Sequence, residues 1–430
     1  LVVAGLDPPS ILVTLSLDNE GIFSYVFCDC FLDNTRIDWP LMILQKLVFL
    51  LLLLVSGVCQ AQNADTLWTY SGKSEWGRSE GAAVCEVADG GFVIVGCADC
   101  KQPEPTGLII KLDTHGKEQW NVSIANTSLK GIIPLSSGDV IVCGQTGGGH
   151  FARAYCASIT SKGTIGWTRT LGDSAYCEYT GICRNESGIY CAGIRQEEGS
   201  VGDFFVTKMD TSGDTLWTRT FQNWDAESVY GITADTIDGA IVFGANHEKH
   251  DGVSYVIAVS SYGETRWATF LSDSVNPNTA CDAKQTNEGW AVLSRVVKSE
   301  WDWEIMLSLL SRSGEILRTD RFRSDSEQGW IALSMAAMQN RKLVIAFSAI
   351  VDRSSSQAGL LYLKFNSKMK KVKEIEGGRN YQINRLIFTK TGHIVSCGEV
   401  LSRKNYESGS RSEINPQPPD TRLLVMKLKP

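Results

Sequence analysis

The sequence predicts an all-β protein: a seven-bladed β-propeller of four-stranded antiparallel blades, closed by pairing of an N-terminal strand with the C-terminal blade. Three observations predict it. A tryptophan-centred segment, best seen as Gly213-Asp-Thr-Leu-Trp217-Thr-Arg219-Thr-Phe221, recurs around Trp68, Trp120, Trp167 and Trp267, and more weakly around Arg318 and Lys373, at intervals of about fifty residues. Each interval holds four short runs rich in β-branched and aromatic residues, separated by Asp-Gly and Gly-Gly turn signals. The repeating region opens on a Trp-type run, 66–71, and ends on the type of run that elsewhere precedes it, 423–430, so pairing the two would complete a ring.

The elements follow in order. Ahead of the repeats, Met42 begins a stretch with one Lys, an apolar run from Leu47 to Val55, and small and polar residues through Cys59-Gln60-Ala61. This has the three parts of a secretory signal peptide, expected over 42–61 with cleavage before Gln62. The uninterrupted apolar run is shorter than the roughly 20 residues of a spanning helix. Residues 1–41 stand ahead of that leader and are expected to be an over-extended reading of the gene or a disordered segment. The folded part is expected to be one propeller domain over 62–430.

Within a repeat, the Trp run is followed by a polar link and a first strand such as 81–88 or 228–235. A tight turn comes next, Asp89-Gly90-Gly91 or Asp238-Gly239, because two-residue hairpin turns demand positive φ angles. A strongly apolar run then ends in glycine, at Gly96, Gly144, Gly193, Gly244 and Gly398, with Ser294 and Ser348 in the weaker copies. After a variable loop comes a third run, as in 107–113 or 204–210, and a second turn, Asp113-Thr-His-Gly116 or Asp210-Thr-Ser-Gly213, which returns the chain to the next Trp run. The repeated tryptophans Trp68, Trp120, Trp167, Trp217 and Trp267 are expected to be core residues joining successive blades.

Composition narrows the function. The chain has 430 residues, 43% hydrophobic and 21% charged, with a net charge of −7. That is the make-up of a globular protein, without the basic stripe that nucleic acid would require. Ten of its 13 cysteines follow the leader, seven of them between Cys85 and Cys183, which suggests disulfides within the first blades in an exported chain. Asn121, Asn126 and Asn185 begin Asn-x-Ser or Asn-x-Thr sequons and are expected to be bare in a bacterial protein.

The pattern Asp-Gly-Gly, apolar run, Gly, then Lys-Leu-Asp-x-x-Gly-x-x-x-Trp resembles that of exported bacterial β-propeller repeat proteins over nearly all of 65–430. More distantly, the segments around Trp120 and Trp217 resemble the Trp-docking repeats of quinoprotein dehydrogenases and of outer-membrane-assembly lipoproteins. The first resemblance implies the fold and an exported surface or scaffold role. The second implies an alternative, an enzyme using pyrroloquinoline quinone and calcium. Those dehydrogenases resemble eight-bladed rings with an adjacent Cys-Cys pair, whereas this chain shows seven units and no such pair.

In a four-stranded blade the two tight turns fall at one end, and the variable loops and blade-to-blade links at the other. Binding residues concentrate on variable loops held by a rigid scaffold. There Trp76 with Arg78, Trp224 with Asp225, and Trp301 with Trp303 set aromatics beside charges, as interface hot spots and carbohydrate platforms do. The competing reading is that these rings plug the gaps between blades. Cys97 and Cys100 with His247 and His250 have the residue types of a zinc site, but the pairs stand three blades apart, and a disulfide fits an exported chain better. The Gly-rich 147–150 loop lacks the following helix and Lys-Ser/Thr of a phosphate cradle. With no catalytic triad in evidence, and no cofactor or metal expected, the sequence predicts an exported, monomeric binding or scaffold module. It would take a protein or glycan partner on the loop face, without nucleic acid and without a membrane span in the mature chain. The alternatives are the quinoprotein enzyme or a propeller lyase or glycosidase.

Overall fold

The protein is described by a computed structural model covering residues 15–17, 23–25 and 66–429, apart from 101, 173–175, 198–201, 222–226, 247–251, 273–275, 300–301, 324–328, 339–341, 353–354, 365–370, 375–380 and 402–420. Contacts divide the chain into two units, Leu1–Ala61 and Gln62–Pro430. In the first, strands Leu15–Leu17 and Phe23–Tyr25 pair antiparallel. The expected leader lies outside the described residues. Among the described residues no helix is long and apolar enough to cross a membrane.

The second unit is a seven-bladed propeller in which each blade is a four-stranded antiparallel sheet. Blade 1 runs from Ser79–Glu86 to Glu118–Ala125, blade 2 from Thr127–Pro134 to Ile165–Leu171, and blade 3 from Tyr176–Asn185 to Thr215–Phe221. Blade 4 runs from Glu227–Ala234 to Thr265–Leu271, blade 5 from Asn278–Gln285 to Ile316–Phe322, and blade 6 from Trp330–Met338 to Lys371–Glu374. Blade 7 takes Tyr381–Phe388, Ile394–Leu401 and Thr421–Leu428 from one end of the domain and Thr66–Ser71 from the other. The ring is closed as the sequence predicts, with Tyr70 opposite Val425 and the Gly72 N–H donating to the Leu423 carbonyl at 2.7 Å. The link between blades 1 and 2 is a single residue, Asn126, because both flanking strands run up to it.

Burial explains the apolar runs. The second strand of a blade is covered on both faces by neighbouring blades, so Phe92–Ala98 and Ala240–Asn246 are buried at every position. The described core is seven clusters, each shared by two adjacent blades. The outermost strand Glu118–Ala125 alternates half-buried and exposed positions, because successive side chains point to opposite faces.

Two residues of the repeat are dictated by contacts between strands. Each first strand carries a bulge at the same place, for example between Tyr179 and Gly181. The bulge pushes the Glu178 carbonyl across the sheet to where a Cβ on Gly193 would lie only 1.8 Å away, which favours glycine there in blades 1 to 4 and 7. In blades 5 and 6 the register puts Ser294 and Phe347 at that place, Phe347 rather than the Ser348 expected from the sequence. The repeated tryptophan stands on the outermost strand, half-buried, rather than in the core. Its ring covers the glycine of the next blade's second turn. At Gly213, with φ of +81°, an added Cβ would meet the Trp167 ring at 2.8 Å. The indole N–H of Trp68, Trp120, Trp167 and Trp217 donates to a carbonyl of that same turn, on Thr114, Ser161, Thr211 and Ser261, at 3.0 to 3.3 Å. Trp267 packs likewise on Gly314, but its buried N–H finds no partner among the described residues. Each tryptophan therefore joins its blade to the next.

The sulfur chemistry meets expectation at the Cys97/Cys100 pair and departs from it elsewhere. Among the described cysteines the disulfide is Cys97–Cys100, within one loop, and the other eight are free thiols, seven of them buried. They sit on strands inside the interblade cores, where they act as small apolar side chains.

Candidate functional site

The first strands of all seven blades surround a central channel of about 650 Å³. Because each bulge frees one residue from its ladder partner, Ala82, Lys130, Thr180, Tyr230, Cys281, Leu333 and Asn384 form a ring of equivalent positions on the channel wall. The residue after each bulge faces the neighbouring blade's first strand. In blades 2 to 4 it is Gly131, Gly181 and Gly231, and a Cβ on Gly181 would come within 3.2 Å of the Gly231 Cα. In blades 5 to 7 it is Asp282, Ser334 and Arg385.

These three polar residues form a chain through the wall. Asp282 is fully buried. One carboxylate oxygen accepts from the Lys284 ammonium and the Ala283 N–H, both at 2.9 Å, and lies 3.7 Å from the Arg385 guanidinium. The other accepts from the Met335 N–H at 2.8 Å and the Ser334 hydroxyl at 3.1 Å. Ser334 in turn accepts from the Leu386 N–H at 3.3 Å, so blades 5, 6 and 7 are tied at the inner rim. Burial alone would raise the Asp282 carboxyl, but the Arg385 and Lys284 charges and these hydrogen bonds outweigh it and hold the group below the usual carboxylate range. Burial pushes the Lys284 ammonium below its usual range, against the pull of Asp282 and with the repulsion of Arg385.

A second group runs from the channel to the loop face. Arg295, near the loop end of its strand Gly289–Val297, lies 5.3 Å from the Tyr230 ring centroid and 5.9 Å from that of Trp303. It also donates to the Tyr230 hydroxyl at 3.2 Å. Trp303 begins the strand Trp303–Ser311 directly after the loop, so one guanidinium bridges a loop-face indole and a channel phenol.

The remaining sequence-predicted residues part company. Trp76 ends a short 3-10 turn, Ser74–Trp76, and packs against the core between blades 7 and 1, with the Lys73 ammonium 5.4 Å from its ring. Arg78, two residues on, lines a separate 140 Å³ pocket with Glu80, Asp99 and Glu399 beside the Cys97–Cys100 disulfide. Trp224, Asp225 and Trp301 lie outside the described residues. So do His247 and His250, while Cys97 and Cys100 are bonded to each other and cannot serve as thiolate ligands. The 147–150 loop enters a single turn, Gly149–Phe151, that ends on an exposed Phe151.

Sequence reasoning missed Lys130, Tyr230, Asp282, Lys284, Arg295 and Arg385. A signal existed: aligning the first strands on their bulge shows glycine giving way to Asp, Ser and Arg in the last three blades. The quinone–calcium pair implied by the distant resemblance does not fit this channel. Calcium takes six to eight oxygen ligands, mostly anionic, and the described wall has one carboxylate, Glu86, among four cationic side chains, while Asp282 is buried behind the wall with both oxygens engaged.

The class of protein the fold defines is therefore a seven-bladed β-propeller. No family model matches the chain, and no curated protein does. Among solved structures it is similar to Sqt1 from Chaetomium thermophilum, at 12% identity over 86% of this chain and 99% of that one, with a TM-score of 0.49. It is also similar to the periplasmic gluconolactonase PpgL of Pseudomonas aeruginosa, at 11% identity over 77% of this chain and 98% of that one, with a TM-score of 0.48. Likenesses of this degree carry no argument about what the chain does.

Proposed function

We propose that this protein is an exported, non-enzymatic binding module that engages a protein or glycan partner through its variable-loop face, centred on the channel mouth between blades 4 and 5. The carrying observation is the Arg295 guanidinium set between Tyr230 and Trp303. A cation held between two aromatics on a rigid scaffold is pre-organised, so little side-chain entropy is lost on contact. Trp, Tyr and Arg are the residue types on which binding energy concentrates. Export rests on the leader read in the sequence and is tested by whether the N-terminus of the mature chain is Gln62.

The test is surface plasmon resonance of the full chain against panels of soluble glycans and extracellular proteins, repeated with Trp303→Ala and Arg295→Ala. A partner that binds the wild type is expected to lose at least about tenfold in affinity with either variant, the scale of a hot-spot truncation. Unchanged affinity in both variants would move the site away from this mouth.

A further inference from the structure

We propose that the central channel is itself a binding site, for a small organic anion carrying at least two negative charges. It shares Arg295 and Tyr230 with the loop-face site, and is separated from it in the test by Lys130, which the loop-face site does not use.

The charge balance points there. The chain as a whole carries −7, yet the channel wall holds four cations, Lys130, Lys284, Arg295 and Arg385, against the carboxylate of Glu86 and that of Asp282 buried behind the wall. The Asp282 oxygens are filled by Lys284, Ser334 and two backbone N–H groups, so its single charge answers both Lys284 and Arg385. Glu86 accepts from the Lys390 N–H at 2.8 Å. Lys130 is exposed to the channel and has no carboxylate partner among the described residues. Two positive charges are thus left uncompensated in a concave wall that focuses their field.

Size and lining define the rest of the ligand. A cavity of about 650 Å³ falls within the usual range for small-molecule sites. Tyr230, Leu333 and Phe388 add apolar surface between the cations, which suits a carbon skeleton carrying the anionic groups. Carboxylate and phosphate groups share the required chemistry.

Isothermal titration calorimetry on the full chain, in low-salt buffer free of phosphate, tests this with three probes: citrate, glucose 6-phosphate and glucose. The expected result is a one-to-one isotherm with at least one anion and none with glucose, weakened about tenfold by Lys130→Ala and further by Lys130→Glu. A response to citrate alone makes the ligand a polycarboxylate, and a response to glucose 6-phosphate alone makes it a phosphorylated compound. Lys130 is exposed and outside the Asp282 network, so both variants are expected to melt with the wild type. Absence of an isotherm with both anions, or one that Lys130→Glu leaves unchanged, would overturn the proposal.

Discussion

From blade 7 round to blade 5, neighbouring sheets are joined at the outer rim, each by a tryptophan lying on the next blade's turn. From blade 5 to blade 7 they are joined at the inner rim, by a buried carboxylate shared among three first strands. The two devices replace one another. Where the register puts Arg318 or Lys371 at the tryptophan position (Lys371 rather than the Lys373 expected from the sequence), the residue after the bulge is Asp or Ser; where tryptophan is present in blades 2 to 4, that residue is glycine. Blade 7 shows why the outer device fails there. Its third and outermost strands come from opposite ends of the domain, so no hairpin turn joins them to receive a ring from blade 6. The difference teaches where chemistry enters a repeat. Three of the four channel cations, Lys284, Arg295 and Arg385, stand on the arc that abandons the pattern, in keeping with the rule that local rules break at functional sites.

Removing the inner device should cost most. Asp282→Ala leaves Lys284 and Arg385 without their counter-charge and is expected to destabilise by about 3–5 kcal/mol, read as a lower urea midpoint. An effect below that of a rim tryptophan would reverse the comparison.

pH sharpens it further. The Asp282 carboxyl is depressed in the folded state, so its contribution is present above the unfolded value near pH 4 and is lost as pH falls through the folded one. Acid should therefore loosen blades 5 to 7 first. Alkali should not discriminate. Burial pushes the thiols of Cys85, Cys281 and Cys397, in blades 1, 5 and 7, up to about 12. A raised folded value gives stability that is full below the unfolded value and lost as pH rises, here across roughly pH 9 to 12, by about 1.4 kcal/mol per thiol per pH unit. Urea midpoints across that range should fall in both arcs together.

The outer device should cost less. Trp217→Ala removes a half-buried ring and one hydrogen bond, an expected loss of about 2 kcal/mol. The smallest effect isolates the indole N–H. Trp217→Phe loses its bond to the Ser261 carbonyl and should cost about 1 kcal/mol. Trp267→Phe deletes an N–H with no partner among the described residues and should be nearly neutral. Equal costs for the two would deny the hydrogen bond its share in the joint.

The ring itself was legible because its causes are local and repeated. Asp-Gly turns, apolar second strands, the terminal glycine and the tryptophan each recur at a fixed place. What they do was not legible: that the glycine answers a bulge in the neighbouring strand, and that the tryptophan lies on the rim, follow only from strands brought together in space. The site was less legible still. Trp303 stood out as an aromatic in a loop, but Tyr230 is 65 residues before Arg295, and only the ring brings them to one mouth. Trp76 looked equivalent and instead packs in a core. Asp282 was lost among 48 acidic residues because nothing in its own segment marks it as buried.

Hydrogen exchange read by mass spectrometry, on wild type, Asp282→Asn and Trp217→Ala at neutral pH, tests most directly whether the two arcs are held separately. The expected result is that Asp282→Asn loses protection in 278–285, 330–338 and 381–388, while Trp217→Ala loses it in 215–221 and in the 260–264 turn. Loss of protection spread evenly round the ring in both variants would show instead that the blades are held by one common core and that the division does not exist.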